Sequence, residues 1–448
     1  MTFRHFLAQL QQNGELLTIT EPISTHQEIA AVMKKLEPRP VLFENVRASK
    51  FPVVGNLLCT KAQFAAYFGW ETAEIIPRLQ EAIQQPSPFS HKGEDGDGDI
   101  PPCQEVIHLA PNLDELPILF HFPTDGGPYI TAGVVITSHP LHGQNMDFHR
   151  FMQFSPTEMA MRVVRGRHFH TYLEDLGQVD IAVCVGNAPN VLVAGAISVD
   201  LGMDELTIAN AFEPLQVAKA VTVDLWVPAE AEFILEGTVY RDRRHAEGPF
   251  VDLTETQDVV RDEPVFEVRA ITHRRDAIWQ ALLPGALEHK LLMGMPREPT
   301  IFHTVNKKVN CLDVHVNPGG CSWLHAIVQI DKQHDDDGKK AIHAAFAGHR
   351  SCKHVFIVDK DINIYNPLEV EWAMATRFQG DRDLVILERE PGSSLDPSAE
   401  PGTKMTTKMG FDLTAPLGEA RKHFEKVLYP QVDLSAFLRG ATGEDSPR

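Results

Sequence analysis

The hydrophobic period changes near Val305, and that change limits the fold more than any other feature of the chain. Beyond it, Ala326 to Ile330 reads as a strand, Lys339 to His349 as a helix, His354 to Val358 as a strand, Val370 to Arg377 as a helix and Asp383 to Leu387 as a strand. Such alternation predicts an α/β layer with a largely parallel sheet. The middle of the chain has another texture. Ile130 to Thr137, Asn145 to Phe154, Ile181 to Gly186, Asn190 to Ala196, Ala218 to Val227 and Val265 to Ile271 are short apolar runs. Only Thr157 to Val164 and Asp204 to Phe212 look helical there, so the middle reads as a barrel or sandwich. Ahead of it, Phe3, Phe6, Leu7 and Leu10 share one face of a helix. Thr25-x-x-Glu28 reads as a capping box before a second helix. Pro40 to Val46 and Phe51 to Asn56 read as strands, and Ala62 to Gly69 and Glu71 to Gln84 as helices. Pro86 to Asp99 is a Pro, Gly, Ser and Asp cluster without period, the signature of a linker.

A chain of 448 residues has length for about two or three domains and a large core. The formal net charge of −20 argues against a broad nucleic-acid or anionic-membrane surface, but leaves room for a local basic pocket. No apolar run approaches the length of about 18 residues that a spanning helix needs. The start, MTFRHFLAQLQQNGE, lacks the apolar core of a secretory signal. Cys59, Cys103, Cys184, Cys311, Cys321 and Cys352 are scattered without a C-x-x-C pair, which fits reduced thiols in a cytoplasm.

The chain carries no P-loop, no G-x-G-x-x-G after a strand, no H-E-x-x-H and no G-x-S-x-G. What stands out is the stretch Pro228 to Asp252, PAEAEFILEGTVYRDRRHAEGPFVD. Its apolar run Phe233 to Leu235 turns at Gly237, the cluster Arg241, Arg243 and Arg244 follows, and Glu247 and Asp252 flank a Gly-Pro bend. Two carboxylates in unlike environments are a proton-transfer device; a surface turn with its acids paired to the arginines is the simpler reading. Asn145 and Arg150 stand in Asn145-Met-Asp-Phe-His-Arg150 at opposite parity, so an ideal strand would point them to opposite faces unless a bulge intervenes. Arg165-Gly-Arg167-His168-Phe-His170 offers cations for a phosphate and two histidines for a metal. Asp204 and Glu205 open a helix, where acids are favoured by the helix dipole alone. Lys404 and Lys408 could grip a phosphate or simply face solvent, and Asp335-Asp336-Asp337-Gly reads as a solvated turn.

Taken in order, Asn-x-x-x-x-Arg, a histidine, Asp-Glu, PAEAE, EGPFVD and KMGFD closely resemble the UbiD family of prenylated-FMN-dependent decarboxylases, over nearly the whole chain. The resemblance implies an α/β (α+β) protein in three parts. A small N-terminal α/β piece would span residues 1–115, a central split β-barrel flavin-binding domain residues 116–305, and a C-terminal α/β oligomerisation domain residues 306–448. It implies that Asn145, His168 and Glu205 ligate a manganese-type divalent ion, with His170 competing for the histidine place and the spacing favouring His168. Arg167 and Lys408 would contact the flavin phosphate, and Arg150 would touch the cofactor as well. Ser198 and Met203 would lie in a loop holding K+. Arg150, Glu247 and Asp252 would form the catalytic triad, with Asp252, one methylene shorter than the Glu of some relatives, as proton donor. The implied reaction is reversible non-oxidative decarboxylation of an α,β-unsaturated or (hetero)aromatic acid through a covalent adduct with prenylated FMN. A separate flavin prenyltransferase would supply the cofactor, and a homodimer or homohexamer is expected, with no nucleic acid and no membrane span. The active site would lie between the central and C-terminal parts, closed by a loop around Lys408. A flavin-binding oxidoreductase or cofactor carrier, and a metal-dependent hydrolase, are the rival readings.

Overall fold

The computed structural model describes residues 2–92, 100–427, 429–433 and 437. Residues 93–99, the second half of the expected linker, and the C-terminal GATGEDSPR expected to fray lie outside the described residues. The first helix is Phe3–Gln12, capped by the Thr2 hydroxyl on the His5 N–H at 3.2 Å, with Phe3, Phe6, Leu7 and Leu10 buried. Arg4 on its other side fastens it to the middle of the chain, donating at 2.7 and 2.8 Å to the wholly buried Glu232. The expected Thr25 capping box does not form. The helix Glu28–Leu36 follows a left-handed Gln27, and the Glu28 carboxylate takes the Ser24 N–H instead. Strands Leu17–Ile19, Val41–Phe43, Val53–Gly55 and Trp279–Gln280 make a four-stranded sheet, the last arriving from far along the chain.

The middle is a nine-stranded sheet. Its order runs Tyr129–Ile130, Phe151–Gln153, Glu158–Met161, Arg261–His273, Phe233–Glu247, Gln178–Val185, Val134–His139 and Gly143–Phe148, with Val106–His108 added on Arg261–His273. Several runs read from the sequence are divided or converted. Thr157 to Val164 holds the strand Glu158–Met161 and no helix: Met159 and Ala160 pair with Phe266 and Val265, and burial of that ladder overrides the helix preference of Glu, Met and Ala. Asn190 to Ala196 lies in the helix Pro189–Ala196. Ala218 to Val227 folds back as the antiparallel pair Gln216–Lys219 and Trp226–Pro228. Gly237 does not turn the chain; Phe233–Glu247 is one strand with a register shift at Glu236/Gly237, where a Cβ would stand 1.9 Å from the Glu267 carbonyl oxygen.

The C-terminal sheet has five strands, ordered Cys311–Val316, His325–Ile330, His354–Asp359, Met405–Asp412 and Leu384–Pro391. Its inner pairs are parallel and its outer pairs antiparallel, so the largely parallel sheet expected there is mixed. Lys408 lies on the strand Met405–Asp412 rather than in a loop. Gly410 on that strand lets the helix Asp337–Gly348 sit down, since a Cβ would meet Ile342 at 2.1 Å. Asp337 is buried and accepts the Gln333 and His334 N–H groups, so the acidic run ends as a structural helix start and not as a solvated turn. Among the described residues no helix is long and apolar enough to cross a membrane. The six cysteines are unpaired.

Candidate active site

Arg150 sits where the chain changes partners. Gly143–Phe148 pairs with Val134–His139, whereas Phe151–Gln153 pairs with Tyr129–Ile130 and Glu158–Met161. The break at His149–Arg150 resets the alternation, so Asn145 and Arg150 need no bulge to serve neighbouring pockets. The Arg150 Nε and Nη2 donate to the two Glu247 oxygens at 2.9 and 3.0 Å, and Nη1 donates to Asp252 at 2.6 Å. Glu247 is wholly buried and also accepts the Tyr129 hydroxyl at 3.1 Å. The guanidinium lies 4.3 Å from the Phe250 ring centroid. Burial works against the Arg150 charge, but hydrogen bonding to Glu247 and the charges of Glu247, Asp252 and Asp258 hold it firmly protonated. The Gly-Pro bend between the acids is clamped from the turn at Asp125. The Gly126 N–H donates to the Pro249 carbonyl, and a Cβ on Gly126 would stand 2.1 Å from the Gly248 carbonyl oxygen. Burial pushes the Asp125 carboxyl up to about 6, against its backbone N–H bonds and the Arg150 charge.

The second cluster lies five residues back along the chain, where Asn145 stands on the strand Gly143–Phe148. Asn145 is buried, and its Oδ1 stands 3.0 Å from the His168 Nδ1. Glu205, first residue of the helix Glu205–Phe212, accepts the Met146 N–H at 2.7 Å. Thus His168, not His170, meets Asn145, and Glu205 is held beside them. Burial, then the nearby Asp147 and Asp204 charges, drive the Glu205 carboxyl well above the usual range despite its backbone bonds. The Asn145 Nδ2 and the Tyr172 hydroxyl are sealed from water without a hydrogen-bond partner, and the buried His149 Nε2 pairs with an Asp147 oxygen at 3.0 Å. A crowd of buried acids and orphaned polar atoms is the environment a hard divalent cation would relieve. Among the described residues no three His, Cys, Asp or Glu side chains converge as a metal cluster. An ion on Asn145, His168 and Glu205 would therefore need further oxygens from a ligand and water.

Cations of a third group face the opposite problem. Arg297 donates to the Ala196 carbonyl, yet its Nε is sealed and unpartnered. Burial, then the Arg167 charge, lowers it to about 10. Burial, with Arg297, Lys408 and Arg167 nearby, lowers His349 to about 3. Lys408 is buried, donates to the Arg350 carbonyl at 2.5 Å, and is lowered chiefly by burial. Arg167 itself is exposed at the start of the helix His168–Leu176. Cations gathered with no ion pair of their own among the described residues fit a phosphate. Between the helices Pro189–Ala196 and Glu205–Phe212, Met203 packs on the core while Ser198 is exposed.

Not every residue singled out belongs to the site. Arg241, Arg243 and Arg244 form surface pairs with Asp242, Glu158, Glu267 and Asp262. Glu236 accepts the Val221 and Thr222 N–H groups and is structural, as is Glu232. Sequence reasoning missed Tyr129, Asp258, Arg261, His289 and Arg297. The signal for Asp258 and Arg261 was available only as a hairpin: Phe250–Val251 pairs with Gln257–Asp258 and folds those residues back onto Arg150. His289, on the helix Leu287–Gly294, takes the Gly285 N–H on Nδ1 at 3.0 Å, which leaves the ring proton on Nε2. Burial and Arg150 hold the ring neutral against the pull of Asp252.

The chain is similar to known proteins over nearly its whole length. The three UbiD domain descriptions match in order: the 3-octaprenyl-4-hydroxybenzoate carboxy-lyase N-terminal domain at residues 7–83, its Rift-related domain at residues 97–287 and its C-terminal domain at residues 290–413. The chain is 42% identical over 434 residues to the anhydromevalonate phosphate decarboxylase of Methanothermobacter thermautotrophicus, covering 95% of this chain and 99% of that protein. It superposes with a TM-score of 0.94 and 35% identity on the UbiD-class enzyme HmfF from Pelotomaculum thermopropionicum in complex with FMN, covering 98% of this chain and 100% of that one. An evolved dimeric form of the same enzyme, in complex with prFMN, gives a TM-score of 0.89 at 34% identity, covering 98% of this chain and 100% of that one.

Proposed function

Because this chain belongs to the UbiD family and is a carboxy-lyase, we propose that it releases CO2 without net redox change from an α,β-unsaturated acid bearing a phosphate, with anhydromevalonate phosphate the first candidate. The observation that carries the reading is one buried guanidinium shared by Glu247 and Asp252. Loss of CO2 from an sp² carbon leaves an electron pair that no side chain can hold. Prenylated FMN, when bound, supplies that electron sink. The residues fit the cofactor. Arg167, Arg297 and Lys408 would take its phosphate, and Arg150 would contact the cofactor as well. Asn145, His168 and Glu205 would hold a Mn2+-type ion against that phosphate, and the loop with Ser198 and Met203 would take K+.

Around that cofactor the chain's own side chains have distinct tasks. Arg150 binds the substrate carboxylate and orients the bond to be broken. Asp252 delivers the proton to the carbon that loses CO2. Glu247, fixed by Tyr129, holds Arg150 in place, and Phe250 shields the guanidinium's face from water. The reading also includes a dimer or hexamer, cytoplasmic residence, and a separate flavin prenyltransferase that makes the cofactor. The test is co-expression with such a prenyltransferase and manganese, followed by CO2 release from anhydromevalonate phosphate and a panel of unsaturated acids. Asp252→Asn should bind the flavin with an unchanged spectrum and lose about 100-fold or more in rate, the scale of one general acid. A wild-type protein that binds plain FMN and oxidises NADH, with no CO2 from any acid, would refute the proposal.

A further inference from the structure

The Arg150 guanidinium has five N–H groups. Nε and Nη2 engage Glu247, Nη2 also donates to Asp258 at 3.0 Å, and Nη1 donates to Asp252 at 2.6 Å. Both edges on which a carboxylate could dock in two-point fashion are therefore filled, one by Glu247 and the other by Asp252 and Asp258 together. An incoming acid must displace one of them. Glu247 is wholly buried and held by Tyr129. Asp258 is gripped a second time by Arg261, at 2.5 and 2.7 Å. Asp252 has no second ion pair among the described residues, and its side chain is the most exposed of the three, at 19% against 16% for Asp258 and 0% for Glu247.

We propose that Asp258 is a positioning residue: it keeps Arg150 in place while Asp252 gives up its hold on that guanidinium to the substrate carboxylate and takes a proton from solvent. The backbone suits this division. Asp258 stands in the paired arm of the hairpin, opposite Phe250. Asp252 stands at the start of the turn, tied by the Asp252 N–H to Thr256 and by its own Oδ1 to the Leu253 N–H at 2.7 Å. The far side of the turn is fixed by Glu255, which pairs with Lys290. Burial opposes the Asp258 charge, but Arg261 and Arg150 hold that carboxyl below the usual range, so Asp258 stays an anion beside Asp252. A neighbouring anion favours the protonated form of a carboxyl group. Of the other titratable groups, Arg162 faces Asp258 and His289 faces Asp252, while Asp125 faces Arg150 and Glu263 faces Glu247 and Arg162.

The cycle balances. The substrate carboxylate replaces the Asp252 carboxylate on Nη1, and one solvent proton goes to Asp252. The carbon–carbon bond breaks to give CO2, and the Asp252 proton ends on the carbon that kept the electron pair. Asp252 then returns to Arg150. One acid anion and one proton give the product and CO2, with nothing oxidised or reduced.

This rests on the decarboxylase reading only for the identity of the acid. A probe that cannot react separates the two: mevalonate phosphate, the hydrated parent without the double bond. Its binding to the cofactor-loaded protein is followed by calorimetry at pH 8 in buffers of different ionisation heat. Wild type should take up close to one proton per acid bound, and Asp252→Asn almost none. Asp258→Asn should take up half the wild-type amount or less. Arg261→Gln, which removes a cation and leaves Asp258 in place, should match or exceed wild type. If Asp258→Asn does not fold, Asp258→Glu must retain the uptake. No binding, binding without uptake in wild type, or equal uptake in wild type and Asp258→Asn overturns the proposal. A failure to release CO2 from the unsaturated acid sinks the decarboxylase reading and leaves the proton count to decide Asp258 by itself.

Discussion

Glu288 gives the sharpest test of how burial is balanced in this chain. It lies on the helix Leu287–Gly294, next to His289, and is 1% exposed. Its Oε1 accepts the Leu58 N–H at 3.2 Å, and its Oε2 is sealed without a partner. Burial raises its carboxyl from 4.5 to about 7, more than the N–H groups of Leu58, Leu57 and Asn56 can offset, with Glu37 adding to the rise. The folded state therefore holds a proton that the unfolded chain releases between the ordinary carboxylate range and neutrality. Stability from this group is complete below pH 4.5 and is lost as pH rises to about 7. At about 1.36 kcal/mol per pH unit the loss is roughly 3 kcal/mol. Glu288→Gln keeps the acceptor and removes the titration. Its stability should lie within about 1 kcal/mol of wild type at pH 5 and exceed it by about 2 to 3 kcal/mol at pH 8. Urea denaturation followed by tryptophan fluorescence across that range measures the difference. A gap between the two proteins that stays constant from pH 5 to pH 8 would show that Glu288 does not titrate with folding, and the reasoning would fail.

Arg297→Gln removes a cation that has no acid of its own, so the cofactor-free protein should be no less stable in urea, while the FMN dissociation constant rises roughly 10- to 100-fold, the worth of a charge-assisted hydrogen bond. Equal FMN affinity in a fluorescence-quenching titration would remove Arg297 from the phosphate site. Gly237→Ala should cost about 3 kcal/mol or more, or abolish soluble expression, because the new Cβ meets the Glu267 carbonyl oxygen at 1.9 Å. Gly14→Ala, with positive φ and open space around it, is the control and should cost only about 1 kcal/mol.

Arginine shows most clearly which parts of this protein were legible in the sequence. Helix Phe3–Gln12 and the strands His325–Ile330 and His354–Asp359 could be read because their period is local and their burial follows it. Glu158–Met161 could not, since its ladder is buried between the nearby Phe151–Gln153 and the strand Arg261–His273, which arrives from far along the chain. Asn145, His168 and Glu205, and Arg150, Glu247 and Asp252, could be named as pieces, but their assembly depends on a chain that leaves one strand and enters another at His149–Arg150. In the sequence, Arg244, Arg150 and Arg297 are equivalent cations. In the fold Arg244 pairs weakly at the surface, Arg150 is saturated by three acids, and Arg297 has no acid partner among the described residues. What differs is the count of opposite charges within reach, and for Arg150 that count is set by chain segments 97 to 108 residues away. A surplus of acids on one buried arginine favours a site that exchanges carboxylates and protons, whereas a deficit around another favours a site that waits for an anion. The chemistry of the pocket thus follows from imbalance in its ion pairs rather than from residue type, and it is why Asp258, unremarkable in DLTETQD, becomes the residue on which the proton count turns.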